Sequence, residues 1–171
     1  MKTITWLRIL YPIWTLISVF ALLYAPTVAA DTIIFKLGQL GQLLVQLFQI
    51  AVALLLYKLF EKTDKTQAFL MALFGLIAVP LSLMAIINPE AAHLATVFWG
   101  LWLIPMGNLV IKSKMFPKVI GIFLYIGAAG YLLGTITYFL LGTVTMYTEA
   151  LTFGELIWVL WITFFGIRKK N

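Results

Sequence analysis

Four glutamines lie along one apolar stretch of the chain, between Lys36 and Phe60. At about 100° per residue, their spacing places all four amides within an arc of about 80° on one side of a helix. This glutamine seam consists of Gln39, Gln42, Gln46 and Gln49. Amides inside a membrane hydrogen-bond between helices, so one interpretation is that the seam ties this helix to its neighbours. The other is a cavity of uncharged donors and acceptors that binds or passes a small neutral or lipophilic molecule, without supplying an acid or base for catalysis.

Glu155 allows two interpretations. It follows Thr152 by three residues and precedes an apolar run, which matches a capping box at the start of a helix. However, a helix confined to residues 153–167 is only about 22 Å long, short of the ~30 Å hydrocarbon core. If the helix begins near Thr148, Glu155 lies roughly 10 Å into the membrane, where a carboxylate needs a partner or a proton. Gln39 and Gln42 are the partners expected for such a buried acid.

Glu90 and the only histidine, His93, share one helical face at a spacing of three residues. Helical di-metal sites use such a pair twice, with further carboxylates, whereas this chain contains it once. The other acids predicted on the same side of the membrane are Asp31, Glu149 and Glu155. A single-metal site or a small intramembrane enzyme is therefore one interpretation. The sequence favours the other, a helix start capped at Asn88-Pro89 with a surface histidine, and no cofactor is predicted.

Two further groups of residues indicate either helix packing or ligand binding. Three glycines, Gly127, Gly130 and Gly134, lie on one face of a later apolar segment, where a neighbouring backbone can approach closely. The alternative function is therefore a structural or accessory subunit that docks a membrane partner or a second copy through this face. Four tryptophans lie towards the middles of their segments and would line either a ligand pocket or the bundle interior. These are Trp99, Trp102, Trp158 and Trp161.

The composition is that of a membrane protein. Of the 171 residues, 63% are hydrophobic and 11% charged, and the mean hydropathy is +1.05, whereas soluble proteins are roughly 25% charged. The net charge of +6 comes from basic residues spread between apolar runs, which indicates orientation in the membrane and no nucleic-acid partner. The chain has no cysteine, so disulfides, thiolate metal sites and cysteine nucleophiles are excluded.

The apolar runs predict an all-α bundle of six transmembrane helices forming a single domain, 1–171. The predicted helices are residues 9–30, 33–60, 68–87, 93–111, 119–141 and 149–167. The two ends of the chain and the second and fourth connections together hold eleven lysines and arginines, whereas the first, third and fifth connections hold only Lys36. By the positive-inside rule, both termini are therefore expected in the cytoplasm. The first run ends at Val28-Ala29-Ala30-Asp31, which also matches a signal-peptidase site, so cleavage there is the alternative to a retained first span.

Residues 100–171 carry a family resemblance. Its motifs are Gly100-Leu101-Trp102-Leu103, Pro105, Gly107, Lys112-Ser113, Phe116-Pro117-Lys118-Val119-Ile120-Gly121, Gly130-Tyr131-Leu132, Gly154-Glu155-Leu156, Leu160-Trp161 and Gly166. In these residues the chain resembles a bacterial family of multi-pass membrane proteins catalogued as domain of unknown function 4386. The resemblance implies a helical bundle in the cytoplasmic membrane of a bacterium. It implies no known reaction, substrate or catalytic residue.

Overall fold

The computed structural model describes residues 2–167, which form seven α-helices and contain no strand. The helices are α1 (Lys2–Ser18), α2 (Ile33–Phe60), α3 (Lys65–Met84), α4 (Ala91–Ser113), α5 (Lys118–Leu141), α6 (Met146–Thr152) and α7 (Gly154–Phe164). Five helical segments are long and apolar enough to cross a membrane: residues 2–27 and the helices α2, α3, α4 and α5. The predicted all-α membrane bundle is confirmed. The basic residues 168–170, which contributed to the predicted orientation, lie outside the described residues.

The first span is not one regular helix. After Ser18 the chain continues as a π-helix, Val19–Tyr24, and then as a 3-10 turn, Ala25–Thr27. The Cβ atoms of Ala21 and Ala25 lie against Gly41 and Gly38 of α2, where any larger side chain would collide with them. The absence of side chains at these two glycines therefore lets the end of the first span lie directly on α2.

The sixth span differs most from the prediction of one helix over residues 149–167, because it is divided at Phe153 into α6 and α7. The Leu156 N–H donates to the Phe153 carbonyl oxygen at 3.0 Å, three residues back, so the backbone tightens at this point. Gly154 follows, with its Cα directly against the carbonyl oxygen of Phe123 in α5. Residues 146–164 together are about 28 Å long, close to the ~30 Å of a hydrocarbon core.

The helices form a closed ring, because neighbours in sequence pack together from α1 to α5 and α7 packs between α5 and α1. Trp158 of α7 is fully buried at the centre of an aromatic cluster. Its ring centroid lies 4.9 Å from that of Phe116, 6.4 Å from that of Phe60 and 6.3 Å from that of Tyr11. The aromatic cluster thus joins four separate parts of the chain: α1, the end of α2, the α4–α5 connection and α7.

The two ends of the bundle carry opposite charge. The connections after α2 and α4 hold lysines, and we call this the basic end; the acidic end has Asp31, Glu90 and Glu149. At the basic end Lys112 Nζ lies 2.7 Å from Asp64 Oδ2, and this ammonium lowers the pKa of the Asp64 carboxyl from its usual value. The charges of the connections therefore pair across helices at this end.

The Asn108 side chain forms hydrogen bonds with two neighbouring helices. Its amide nitrogen donates to Gln67 Oε1 at 3.3 Å, and its amide oxygen accepts from the Tyr125 hydroxyl at 2.5 Å. Asn108 therefore links α3, α4 and α5, so its side chain is used between helices rather than within α4.

The glycine face of α5 is covered by the same chain. A Cβ added at Gly130 would lie 2.7 Å from the Thr152 nitrogen and 2.8 Å from the Thr148 carbonyl oxygen, and one at Gly127 would lie 3.4 Å from the Glu155 nitrogen. At Gly134 the nearest atom would be Val144 Cγ1, at an ordinary 3.4 Å. The close helix packing expected at these glycines is thus made with α6 and α7, and a partner or second copy would have to displace those helices to dock there.

The glycine contacts predict different costs for the same substitution at two positions. Gly130→Ala should lower the free energy of unfolding by about 1–3 kcal/mol, because the new methyl group meets rigid backbone. Gly134→Ala should change it by less than about 0.5 kcal/mol, since its methyl group meets only side chains at contact distance. Thermal unfolding of both variants in dodecyl maltoside tests this, and equal melting temperatures would contradict the α5–α6 packing.

Candidate functional site

The glutamine seam is partly used for packing. Gln42 Nε2 donates to the carbonyl oxygen of Ala21 in the π-helix at 3.3 Å, and Gln49 Nε2 donates to the carbonyl oxygen of Gly75 in α3 at 3.4 Å. Gln46 and Gln49 are almost fully buried, 4% and 3% exposed, whereas Gln39 is half-buried. Two of the four amides therefore tie α2 to its neighbours through backbone carbonyls.

A small cavity lies beside Gln42 and Gln46 of the seam. We call it the amide cavity; it has a volume of about 50 Å³ and lies between the π-helix, α2, α3 and α4. Its lining consists of Leu22, Gln42, Gln46, Ser82, Ala85, Ala92, Ala95 and Trp99. Since one water needs about 10–15 Å³ of cavity volume, the amide cavity has room for about three to five water-sized groups.

Two buried polar side chains of the amide cavity lack partners. The Ser82 hydroxyl is buried and has no hydrogen-bond partner within residues 2–167. The Gln46 side chain, which is 4% exposed, forms no hydrogen bond within the same residues. Buried polar side chains nearly always find a partner, so each of these two groups calls for one. The cavity therefore presents an amide and a hydroxyl that a bound group could satisfy.

The seam does not continue as an open channel towards the basic end. One helical turn past Gln46, the Gln49 amide is bound to the Gly75 carbonyl oxygen. The Cα of Gly75 lies directly against the ring of Trp102, which is 2% exposed. Trp102 is therefore packed in the bundle interior, whereas Trp99 lines the amide cavity, so the two expectations for the tryptophans hold at different positions.

A larger opening at the acidic end was not predicted from the sequence. We call it the hydroxyl cleft; it has a volume of about 300 Å³ and lies between α4, α5 and α6. It is lined by Leu23, Ala92, His93, Thr96, Gly130, Tyr131, Gly134, Thr135, Val144, Thr148, Glu149 and Thr152. No periodic pattern marks it, because its hydroxyls come from three helices that are distant in sequence. This volume is at the lower end of the range for small-molecule sites.

Glu155 lies beside this cleft as a half-buried acid rather than as part of a capping box. Thr152 Oγ1 donates to the Glu149 carbonyl oxygen at 2.7 Å and so does not cap α7. The Glu155 carboxylate accepts instead from the hydroxyl of Tyr131 in α5, at 3.2 Å, and not from Gln39 or Gln42 as expected. Glu155 lies about 13 Å from the start of α6 along the helix, which places it near the middle of the span.

Glu90 and His93 pack against one aromatic ring. The His93 ring stacks on that of Tyr138, with centroids 3.4 Å apart and planes 12° from parallel, and the Tyr138 hydroxyl donates to Glu90. In the part of the chain that the structure describes, no three His, Asp or Glu side chains are grouped closely enough to hold a metal ion. Of the other acids considered for a metal site, Glu149 lines the hydroxyl cleft together with His93, whereas Asp31 and Glu155 are not in its lining.

Comparisons with known proteins relate this chain to a family whose description assigns no function. A family model described as "Domain of unknown function (DUF4386)" matches residues 81–166, which run from the end of α3 through α7. The chain is also similar to an uncharacterized protein of Archaeoglobus fulgidus, with 29% identity over 140 residues, 77% of this chain and 84% of that protein. No solved structure matches the chain.

The bond from Tyr131 to Glu155 predicts a specific cost. Tyr131→Phe removes the donor to a half-buried carboxylate and should lower the free energy of unfolding by about 1–3 kcal/mol. The matched control is Tyr138→Phe on the same helix. The Tyr138 hydroxyl bonds the exposed Glu90, so its loss should lower the free energy of unfolding by less than about 0.5 kcal/mol. Thermal unfolding measures both, and an equal loss in the two variants would contradict a special role for the Tyr131 hydroxyl.

Proposed function

Because this chain belongs to the DUF4386 family, whose description assigns no function, we propose its role from its own residues. It is a non-enzymatic multi-pass membrane protein that binds a lipophilic molecule by an uncharged head group. The head group occupies the amide cavity, where it hydrogen-bonds to Gln46 and Ser82. The rest of the ligand lies against apolar side chains such as Leu22.

The unpartnered Ser82 hydroxyl, in a cavity that is also lined by the Gln46 amide, is the observation that carries this proposal. Leaving a buried hydroxyl without a partner costs roughly 1–3 kcal/mol in proteins, so a ligand that satisfies it gains this free energy on binding. The cavity lining contains no ionisable side chain, which favours a neutral head group. An amide and a hydroxyl each donate and accept, so carboxamides and alcohols match them.

The contacts between the amide cavity and the basic end support binding of a molecule rather than its passage through the bundle. The Gln49 bond to Gly75 and the packing of Trp102 close the seam towards the basic end. A molecule that entered from the acidic end would therefore stop at Gln46.

The location of the protein is part of the same proposal. The basic connections after α2 and α4 support both termini in the cytoplasm, by the positive-inside rule. The family resemblance supports the cytoplasmic membrane of a bacterium. In this orientation the amide cavity lies in the outer half of the membrane.

A short lipophilic amide tests the cavity directly. Octanamide, whose head has three non-hydrogen atoms, should raise the melting temperature of the purified protein in dodecyl maltoside, because a ligand of the folded state stabilises it. Gln46→Leu and Ser82→Ala should each weaken octanamide binding by roughly 2- to 10-fold, the equivalent of one hydrogen bond.

Gln39→Leu is the matched control, since it makes the same change on the same helix outside the cavity and should bind octanamide like the natural protein. Mass spectrometry of molecules that co-purify with each variant adds a second measurement. If Gln46→Leu retains octanamide affinity and the same co-purified molecules, the amide cavity is not the binding site.

A further inference from the structure

The hydroxyl cleft has a chemical character of its own, because its threonines present acceptor oxygens. The Thr96 and Thr135 hydroxyls share a hydrogen bond of 2.7 Å, in which one donates to the other. The remaining proton of this pair has a backbone carbonyl oxygen as acceptor, that of His93 at 2.9 Å from Thr96 or that of Tyr131 at 3.0 Å from Thr135. Thr148 and Thr152 likewise donate to carbonyl oxygens one turn back, at 2.8 and 2.7 Å. A hydroxyl has only one proton, so what remains for a ligand in the cleft is lone pairs.

The Tyr131 hydroxyl likewise offers a ligand lone pairs and no proton. This side chain is a wall of the cleft, and its proton is donated to Glu155. The bond also places the Glu155 carboxylate directly behind the cleft wall.

The fixed charge of the cleft lining is negative. Glu149 is exposed, and its side chain has no hydrogen bond or ion pair within the described residues 2–167. The lining contains no lysine or arginine, and His93 and Tyr131 are its other titratable side chains. Apolar residues complete the lining, among them Leu23 and Val144. The cleft therefore combines acceptor oxygens, a free carboxylate and an apolar wall.

We propose that the hydroxyl cleft binds the ammonium group of a lipophilic amine, with Glu149 as its counter-ion and the threonine oxygens as acceptors. An ammonium has three donors and no acceptor, which complements a lining that offers acceptors. The alkyl chain lies against Leu23 and Val144. This site is separate from the amide cavity, and its ligand differs in charge.

The same ammonium chemistry occurs in a free alkyl amine and in the head group of phosphatidylethanolamine. Octylamine is the probe, used at pH 8, where an alkyl amine of lysine-like pKa carries its charge. It should raise the melting temperature of the protein more than 1-octanol or octanoate of the same chain length does, because neither of these supplies an ammonium.

Glu149→Gln should weaken octylamine binding by about two- to fivefold, as expected for a partly exposed ion pair, and leave 1-octanol unchanged. Asp31→Asn is the matched control: Asp31 is an exposed acid at the same end that does not line the cleft. Val144→Phe should reduce octylamine binding by filling the cleft. Gln46→Leu should leave it unchanged, so failure of this proposal and failure of the amide cavity are distinguishable.

Equal stabilisation by octylamine and 1-octanol would overturn the proposal, and so would equal octylamine affinities of Glu149→Gln and Asp31→Asn. Nanodiscs identify the source of the ammonium. If discs containing phosphatidylethanolamine weaken octylamine binding relative to phosphatidylcholine discs, the lipid head group occupies the same site. If they do not, a free amine is the ligand.

Discussion

The bundle depends on the close approach of two backbones, α5 and the α6–α7 pair. Inside a membrane, helices are held together by van der Waals packing and interhelical hydrogen bonds, so small residues at the contact decide how near they lie. Gly130 meets the backbone of Thr148 and Thr152, and Gly154 meets the carbonyl oxygen of Phe123. A side chain at either glycine would move α6 and α7 away from α5.

Three features follow from this contact. Glu155 is carried inwards on the first turn of α7 until its carboxylate reaches the Tyr131 hydroxyl. Thr148 and Thr152 of α6 are brought opposite α4 and α5 and complete the hydroxyl cleft. Trp158, one turn beyond Glu155, enters the aromatic cluster and closes the ring of helices against α1. Packing at the glycines thus positions both the candidate site and the core.

The helices of the bundle were largely predictable from the sequence. A chain in lipid has no water to bond its backbone N–H and C=O groups, so each apolar run of spanning length forms a helix that satisfies them internally. The bounds of α2, α3, α4 and α5 lie within three residues of those expected. The break at Phe153 was not predictable from pattern alone, since it accompanies the contact of Gly154 with Phe123. The π-helix at Val19–Tyr24 likewise accompanies packing against Gly38 and Gly41, which hydropathy does not record.

The candidate site was predictable in part. The spacing of the glutamines placed them on one helix face. It did not separate Gln42 and Gln49, which bond carbonyl oxygens of other helices, from Gln46, which lines the cavity without a hydrogen bond within the described residues. That division depends on where the backbones of the first span and α3 lie. The partner of Glu155 was missed for the same reason, because Tyr131 is 24 residues away in sequence and comes close only through the glycine contacts.

The two openings differ because threonine and glutamine divide their hydrogen-bonding groups differently. A threonine in a helix donates its one proton to a backbone carbonyl of the preceding turn, so threonines that line an opening offer it mainly acceptors. A glutamine is long, has two N–H donors and a carbonyl oxygen, and retains both functions when it faces a cavity. Ala92, in the first turn of α4, lines the amide cavity and the hydroxyl cleft alike. Under the two proposals, a neutral head group would enter the amide cavity and a cationic one the hydroxyl cleft, both beside α4. The different hydrogen-bonding groups of the two openings would decide which head group each one takes.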